Sequence, residues 1–361
     1  MSIAAANPTA SVKRWIPRQV LVTASARESR HGQAIAARCR ELGVDVVELD
    51  GDRLLGLSDP DPREAYRRAK STLAVVNAPP SQLRLEPIPP SADWRLDIAR
   101  GCPAHCQYCY LAGSLPGAPV TRAFANLEQI LALVPEHEGR GTITSQQAAR
   151  VSEGTTFEAS CYTDPLALEH LTGSLSAAIE FFGARTQAAL RFTTKFDDVE
   201  ALLGLEHGGR TRARFSVNAA AVERFEGGTA RVDARLGALR RMALAGYPVG
   251  LTVAPIVAGE GWQSEYAALF QAAAAAVADV ADLDLTVELI THRFTANSKR
   301  VLTGWYPSTQ LDMDEDRRTM KQTRFRGQKY VYPAPVMGEL RTFLTAQVQQ
   351  RLPTAQILYF T

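Results

Sequence analysis

The chain has 361 residues, 46% of them hydrophobic, and a net charge of +2, enough apolar material for one large domain or a large domain with a small appendage. So even a charge balance leaves any nucleic-acid partner to be argued from local patches. Five cysteines, an odd number, without an apolar export leader argue against a disulfide framework and for a reducing, cytoplasmic setting.

Residues 1–17 are small and polar without periodicity and read as a disordered or loosely docked leader. QVLVTAS from Gln19 reads as a buried strand, Glu28 to Leu42 as a helix ended by Gly43, and VDVVEL as a second strand, together a small βαβ unit. No phosphate-binding glycine fingerprint follows its first strand, so the unit is expected to pack rather than to bind. The proline-rich stretch from Pro79 to Pro90 sets a domain boundary, giving an N-terminal α/β unit with its linker at 18–90 and a main domain at 91–361.

Beyond the boundary, strands alternate with helices. DWRLDIA, FEASC, LRFTTK, RARFSVN, VGLTVAPI and LDLTVELI read as six strands, too few for an eight-stranded barrel. The expected fold is therefore α/β, a partial (β/α)6 TIM-type barrel. Asp164 and Pro165 open a helix that Gly183 ends, and Gly246 closes another that starts near Val232. The alanine-rich run Ala272 to Ala278 is followed by Asp279 and Asp282, so it reads as a packed helix rather than a membrane span, which needs about 20 apolar residues. A C-terminal helix is expected near Met337 to Gln350.

GCPAHCQYCY places Cys102, Cys106 and Cys109 in C-x3-C-x2-C spacing directly after the first barrel strand. Three thiolates leave one iron of a 4Fe-4S cluster open to another ligand. The alternative is a structural zinc site completed by His105 or a distant histidine, although no second cysteine pair exists to close it. Reactive groups of a parallel barrel gather at the C-terminal ends of its strands. Cys161, Lys195, Ser216, Asn218, His292 and Arg293 all fall there.

The spacing, with Tyr108 before the last cysteine, resembles the radical S-adenosylmethionine superfamily. YRRAKSTL, ARGCPAHCQYCYLAGS, FEASCYTDPLALEHLT, LRFTTKF, RARFSVNA, AGYPVGLTVAPI, LTVELITHRFT, KRVL and ILYFT narrow the resemblance to the spore photoproduct lyase family. That resemblance implies a DNA repair lyase that reverses 5-thyminyl-5,6-dihydrothymine to two thymines, with a 4Fe-4S cluster and S-adenosyl-L-methionine as cofactors. It implies Cys161 as hydrogen-atom donor, with Tyr108 and Tyr110 as a radical relay. It also places Tyr108, Thr163, Lys195, Ser216, Asn218 and the backbone of Ala254 on S-adenosylmethionine.

Arg317, Arg318, Lys321, Arg324, Arg326 and Lys329 are interleaved with Phe325, Tyr330 and Tyr332. A duplex hides the thymine pair in its stack, and a cationic, aromatic element can open it. The resemblance implies a C-terminal β-hairpin here, with Arg293, Arg324, Phe325, Lys329 and Tyr330 on the lesion. Phe325, Arg326 and Tyr162 depart from the family pattern. The expected partners are DNA containing a thymine photolesion and an external electron donor such as flavodoxin or ferredoxin, with no membrane and a monomeric chain. A family offshoot acting on another lesion or modified base, and a non-catalytic DNA-binding metalloprotein, are the alternatives.

Overall fold

The structure, a computed structural model, describes residues 12–114, 119–141, 147, 150–322 and 327–361. The six expected strands form Ala92–Leu96, Thr155–Ala159, Ala188–Thr194, Thr211–Val217, Val249–Ile256 and Leu285–Thr291, neighbours in that order. Every pairing among them is parallel, which makes the curled sheet of a partial barrel. Two further strands extend it. Glu86–Ile88 pairs antiparallel with the first, from within the proline-rich stretch, and Gln356–Phe360 pairs parallel with the last. The second is a short run directly after a helix, with no polar alternation to mark it as a strand.

Period-two alternation gives each strand two different faces. Phe157, Leu190, Phe192, Phe215, Leu251, Val253, Val287 and Leu289 are fully or almost fully buried in the main apolar core, each contributing roughly 1.5–3 kcal/mol. The residues between them are polar. Arg191 and Arg214 both pair with Glu288, at 2.9 and 2.7 Å; Arg214 also pairs with Glu158, and Thr252 Oγ1 donates to Glu288 at 3.1 Å. The layers of branched apolar side chains that fill a complete barrel are replaced here by paired charges. Such pairs offset their own desolvation at best, so this row supplies a polar interior rather than stability.

The helix expected from Asp164 to Gly183 is two helices, Leu166–Thr172 and Ser174–Gly183. Gly173 breaks it at φ +64°, and Glu169 caps the second piece by accepting from the backbone nitrogens of Leu175 and Ser176. Asp164 does cap the first, accepting from the Ala167 nitrogen at 3.2 Å. Val232–Leu244 ends just before Gly246, at φ +85°, as expected, and the C-terminal helix is longer than expected, Ala334–Arg351.

The second sheet has the order Asp45–Glu48, Gln19–Val22, Thr72–Val76, Thr121–Phe124, Ala99–Arg100. Its last two strands lie beyond the Pro79–Pro90 connection, so the sheet does not end where the sequence placed the boundary. Arg100 thereby carries this sheet into the cysteine loop. Residues 13–15 are docked rather than loose. The Lys13 nitrogen donates to Asp197, Arg14 pairs with Asp198, and the Trp15 carbonyl lies 3.0 Å from His170 Nε2. No helix among the described residues is long and apolar enough to cross a membrane.

Candidate active site at the strand ends

Gly101 opens the cysteine loop at φ +79°, and a Cβ there would lie 2.2 Å from the carbonyl oxygen of Val120. Only glycine lets the chain turn so close to the neighbouring strand. The buried Lys70 ammonium donates to the carbonyls of Cys102 and Ala104, and Cys106 pairs in a two-residue antiparallel ladder with Glu226. The three cysteines are free, and each of the first two feels the charge of its neighbours. Burial pushes Cys102 up to about 12, and Cys106 higher still. Thiols so placed hold a negative charge only against a bound cation. Three sulfurs on one loop fit three irons of a 4Fe-4S cluster and leave the fourth open.

The zinc alternative finds no fourth ligand in His105. Its Nδ1 is engaged instead, 3.1 Å from the hydroxyl of Tyr66, which also bonds Tyr306. Among the described residues, no group of three or more His, Cys, Asp or Glu side chains converges as a single ion requires.

Cys161 follows the Thr155–Ala159 strand, after Ser160 at φ +55°. That strained residue is held from three sides: its nitrogen donates to Leu96, and its hydroxyl accepts from the nitrogens of Ile98 and Ala99. The turn is tied to the cysteine loop by Gly101 N to Tyr162 O, 2.9 Å, and Thr163 Oγ1 to Gly101 O, 2.6 Å. Tyr110 leaves 62% of its surface open, yet its hydroxyl is inside the site, donating to the carbonyl of Cys161. Burial first, then Asp97 and Glu158, push the Cys161 thiol up, so it is protonated at neutral pH. A protonated thiol is the form that can give a hydrogen atom.

Lys195 Nζ donates to Ser216 Oγ and Glu226 Oε1, both at 2.8 Å, and to the Ala254 carbonyl at 3.4 Å. A register shift between Val253 and Ile256 lies at Ala254, and such bulges re-aim backbone groups. Tyr108 donates its hydroxyl to the same Glu226 oxygen, and Lys195 lies 5.5 Å from the Tyr108 ring centre. Asn218 is buried and largely engaged. It donates to Pro255 O and accepts from Ala219 N and Tyr266 Oη. Lys195, Ser216, Tyr108 and Ala254 therefore converge, while Asn218 follows the same strand as Ser216 and is bonded to the neighbour of Ala254, Pro255.

Sequence reasoning missed the residue at the centre of that group. Glu226 has no exposed side-chain surface and joins Lys195, Tyr108 and Arg235, whose Nη1 lies 2.6 Å from its second oxygen. That oxygen makes an ion pair without hydrogen-bond geometry. Glu226 lies in FEGGT, among turn residues, with no spacing relation to the cysteines. Only its pairing with Cys106 brings it in.

The expected hairpin is present as Thr319–Gln322 paired antiparallel with Gln328–Val331. Tyr330 bridges Phe294 by two backbone bonds and stacks on its ring at 5.3 Å, which anchors the hairpin beside the last barrel strand. Lys329 is held below its usual pKa by burial, then by Arg293 and Lys321, so three of the expected cations share one neighbourhood. Arg324 and Phe325, and with them Arg326, lie outside the described residues. Arg318 is not part of the basic surface. It is buried, donates to the carbonyls of His292 and Asp312, and lies 3.8 Å from the Tyr332 ring centre.

A family model described as spore photoproduct lyase matches residues 15–361. The spore photoproduct lyase of Geobacillus sp. (strain Y412MC61) is 38% identical, covering 97% of this chain and 100% of its own length; that of Bacillus subtilis (strain 168) is 37% identical, covering 96% and 99%. A solved spore photoproduct lyase complexed with dinucleoside spore photoproduct superposes with a TM-score of 0.88 at 38% identity, covering 97% of this chain and 100% of that one. A mutant with bound AdoMet and the same dinucleoside matches equally well. Carried on nearly its whole length, the chain belongs to the spore photoproduct lyase family.

Proposed function

We propose that this chain reverses spore photoproduct, 5-thyminyl-5,6-dihydrothymine, to two thymines, with Cys161 as the hydrogen-atom donor. Family membership carries the reaction class, a radical S-adenosylmethionine lyase, and its cofactors, a 4Fe-4S cluster and S-adenosylmethionine. The observation that supports the donor most directly is the position of Cys161, a protonated thiol on a turn tied to the loop of Cys102. When bound, the cofactors supply a 5'-deoxyadenosyl radical that takes hydrogen from the lesion.

The chain's own residues do the rest. Cys102, Cys106 and Cys109 hold the cluster. Lys195 offers an ammonium to the methionine carboxylate, while Ser216, Thr163, Asn218, Tyr108 and the Ala254 carbonyl line the same end. Once the methylene C–C bond between the two thymines has broken, Cys161 gives up its S–H hydrogen to the carbon radical left behind, forming the C–H bond that completes a thymine, and a fixed position favours this over side reactions. Tyr110, donating to the Cys161 carbonyl, is the nearer member of a relay back through Tyr108. Arg293, Lys329 and Tyr330 meet the DNA, and the resemblance gives Arg324 and Phe325 the same role. The reading includes a cytoplasmic monomer reduced by flavodoxin or ferredoxin.

Cys161→Ala tests the donor. It should keep its iron, cleave S-adenosylmethionine and consume lesion, but yield adducts with added quenchers. Thymine at normal yield removes Cys161 from the mechanism. A non-catalytic DNA-binding metalloprotein forms no 5'-deoxyadenosine at all.

A further inference from the structure

Two arginines face each other across an antiparallel pair. Arg100 on Ala99–Arg100 is in direct register with Arg122 on Thr121–Phe124. Such partners have their Cβ atoms about 5 Å apart, and like charges placed so are destabilising. Burial and then Arg100 lower the pKa of Arg122, and no carboxylate among the described residues acts on it. A third guanidinium, that of Arg95, belongs to the same group. The ring of Tyr162 lies between Arg95 and Arg100, 4.9 and 4.6 Å from them, and Arg95 Nη1 donates to its hydroxyl at 3.4 Å.

Two acids oppose these charges. Asp97 lies 3.2 Å from Arg95 and 3.9 Å from Arg100, and Glu86, largely exposed, lies 3.1 Å from Arg95. Arg122 remains uncompensated. The hydrogen bonding is also incomplete, because Arg100 Nε and Asp97 Oδ1 are buried without a partner. A buried donor left so is destabilising, the more so when charged. The group adjoins the reaction: Arg95 and Arg100 both act on the Cys161 thiol, and Tyr162 is its chain neighbour.

We propose that Arg95 and Arg100, which flank Tyr162, and Arg122, opposite Arg100, form a subsite for a backbone phosphate of the lesion-bearing DNA strand. A phosphodiester supplies the missing counter-charge and suits planar guanidinium forks better than ammonium groups. The subsite lies at the Ala92–Leu96 end of the curled sheet, while Arg293 and Lys329 lie by Leu285–Thr291, five strands across. A strand held at both ends would present its lesion to Cys161 between them. The inference rests on the proposed repair of spore photoproduct.

The test compares three probes on the full chain with its cluster reconstituted: dinucleoside spore photoproduct, which has no phosphate; the dinucleotide, with the linking phosphate; and an oligonucleotide with flanking phosphates. Binding is followed by fluorescence competition across a salt series. Arg122→Gln and Arg100→Gln should leave the dinucleoside unchanged and weaken the oligonucleotide, lowering the slope of log Kd against log salt by about 0.7–0.9 for the lost contact. Weakening already at the dinucleotide assigns the subsite to the linking phosphate; weakening at the oligonucleotide alone assigns it to a flanking one. Arg122→Lys should keep the slope, and it replaces the glutamine variants if these fail to fold, with Arg122→Met as the uncharged comparison. An unchanged slope, equal weakening of the dinucleoside, or lost S-adenosylmethionine binding would each overturn the proposal. Failure of the repair reading looks different, because then the unaltered chain does not process the dinucleotide.

Discussion

Replacing Glu226 by glutamine keeps the shape of the side chain and removes the charge that joins Lys195, Tyr108 and Arg235. Removing one partner of a buried pair costs about 3–5 kcal/mol, because the other charge is left unbalanced. Arg235 is fully buried, but it keeps acceptors at Ala230 O, Ser216 O and Thr229 Oγ1, and Lys195 keeps Ser216. The loss therefore belongs at the low end, about 3 kcal/mol, and lowers Tm by about 4 °C in a chain this long. Burial works against ionisation of Glu226, yet Lys195 and Arg235 outweigh it and lower its pKa. Its contribution is then full above the ordinary glutamate pKa and is lost as pH falls through the depressed one. Anaerobic urea unfolding of Glu226→Gln measures both effects, and the double variant with Arg235→Met should recover part of the loss. A change below about 1 kcal/mol, the scale of a surface ion pair, refutes the buried-hub account.

Asp97 is raised to about 6 by burial, with Arg95 and Arg100 opposing and Glu86 assisting. A carboxyl whose folded pKa is raised contributes fully below the ordinary carboxylate range and loses that contribution as pH rises through about 6. Asp97→Asn should thus flatten unfolding free energy between about pH 4 and 6, leaving the share of Asp164, also raised to about 6; an unaltered slope contradicts the assignment. Arg318→Ala should cost stability, about 3 kcal/mol for a buried charged group lost from its acceptors. Lys329→Ala should instead leave stability alone and lower the salt slope of DNA binding by about 0.9. Thermal melts and binding titrations on both variants separate the two roles, and exchanged outcomes would refute the division of the basic segment.

What was legible in the sequence is what short spacing and local patterning encode. Cys102, Cys106 and Cys109 lie within eight consecutive residues, and strands such as LRFTT announce themselves by alternation, even though the polar row of that alternation turned out to face paired charges inside the sheet. Glu226 was invisible because its meaning comes from a ladder with Cys106, 120 positions earlier in the chain. Arg122 was invisible for the same reason, since nothing in TRAF predicts that it will oppose Arg100. Arg318 was misassigned with its basic neighbours because composition cannot tell a solvated arginine from one packed on Tyr332. The Pro79–Pro90 stretch marked a change of sheet but not its limit, because Thr121–Phe124 returns to the sheet of Gln19–Val22 and Thr72–Val76 after the cysteine loop.

In the proposed reaction a cluster-generated radical is turned on spore photoproduct and the last hydrogen atom comes from Cys161. The most direct test is anaerobic incubation of the reconstituted protein with dinucleotide spore photoproduct, S-adenosylmethionine and dithionite, followed by chromatography of the products. The lesion should disappear and the thymine pair appear in its place. Formation of 5'-deoxyadenosine with the lesion left intact would contradict the proposed reaction.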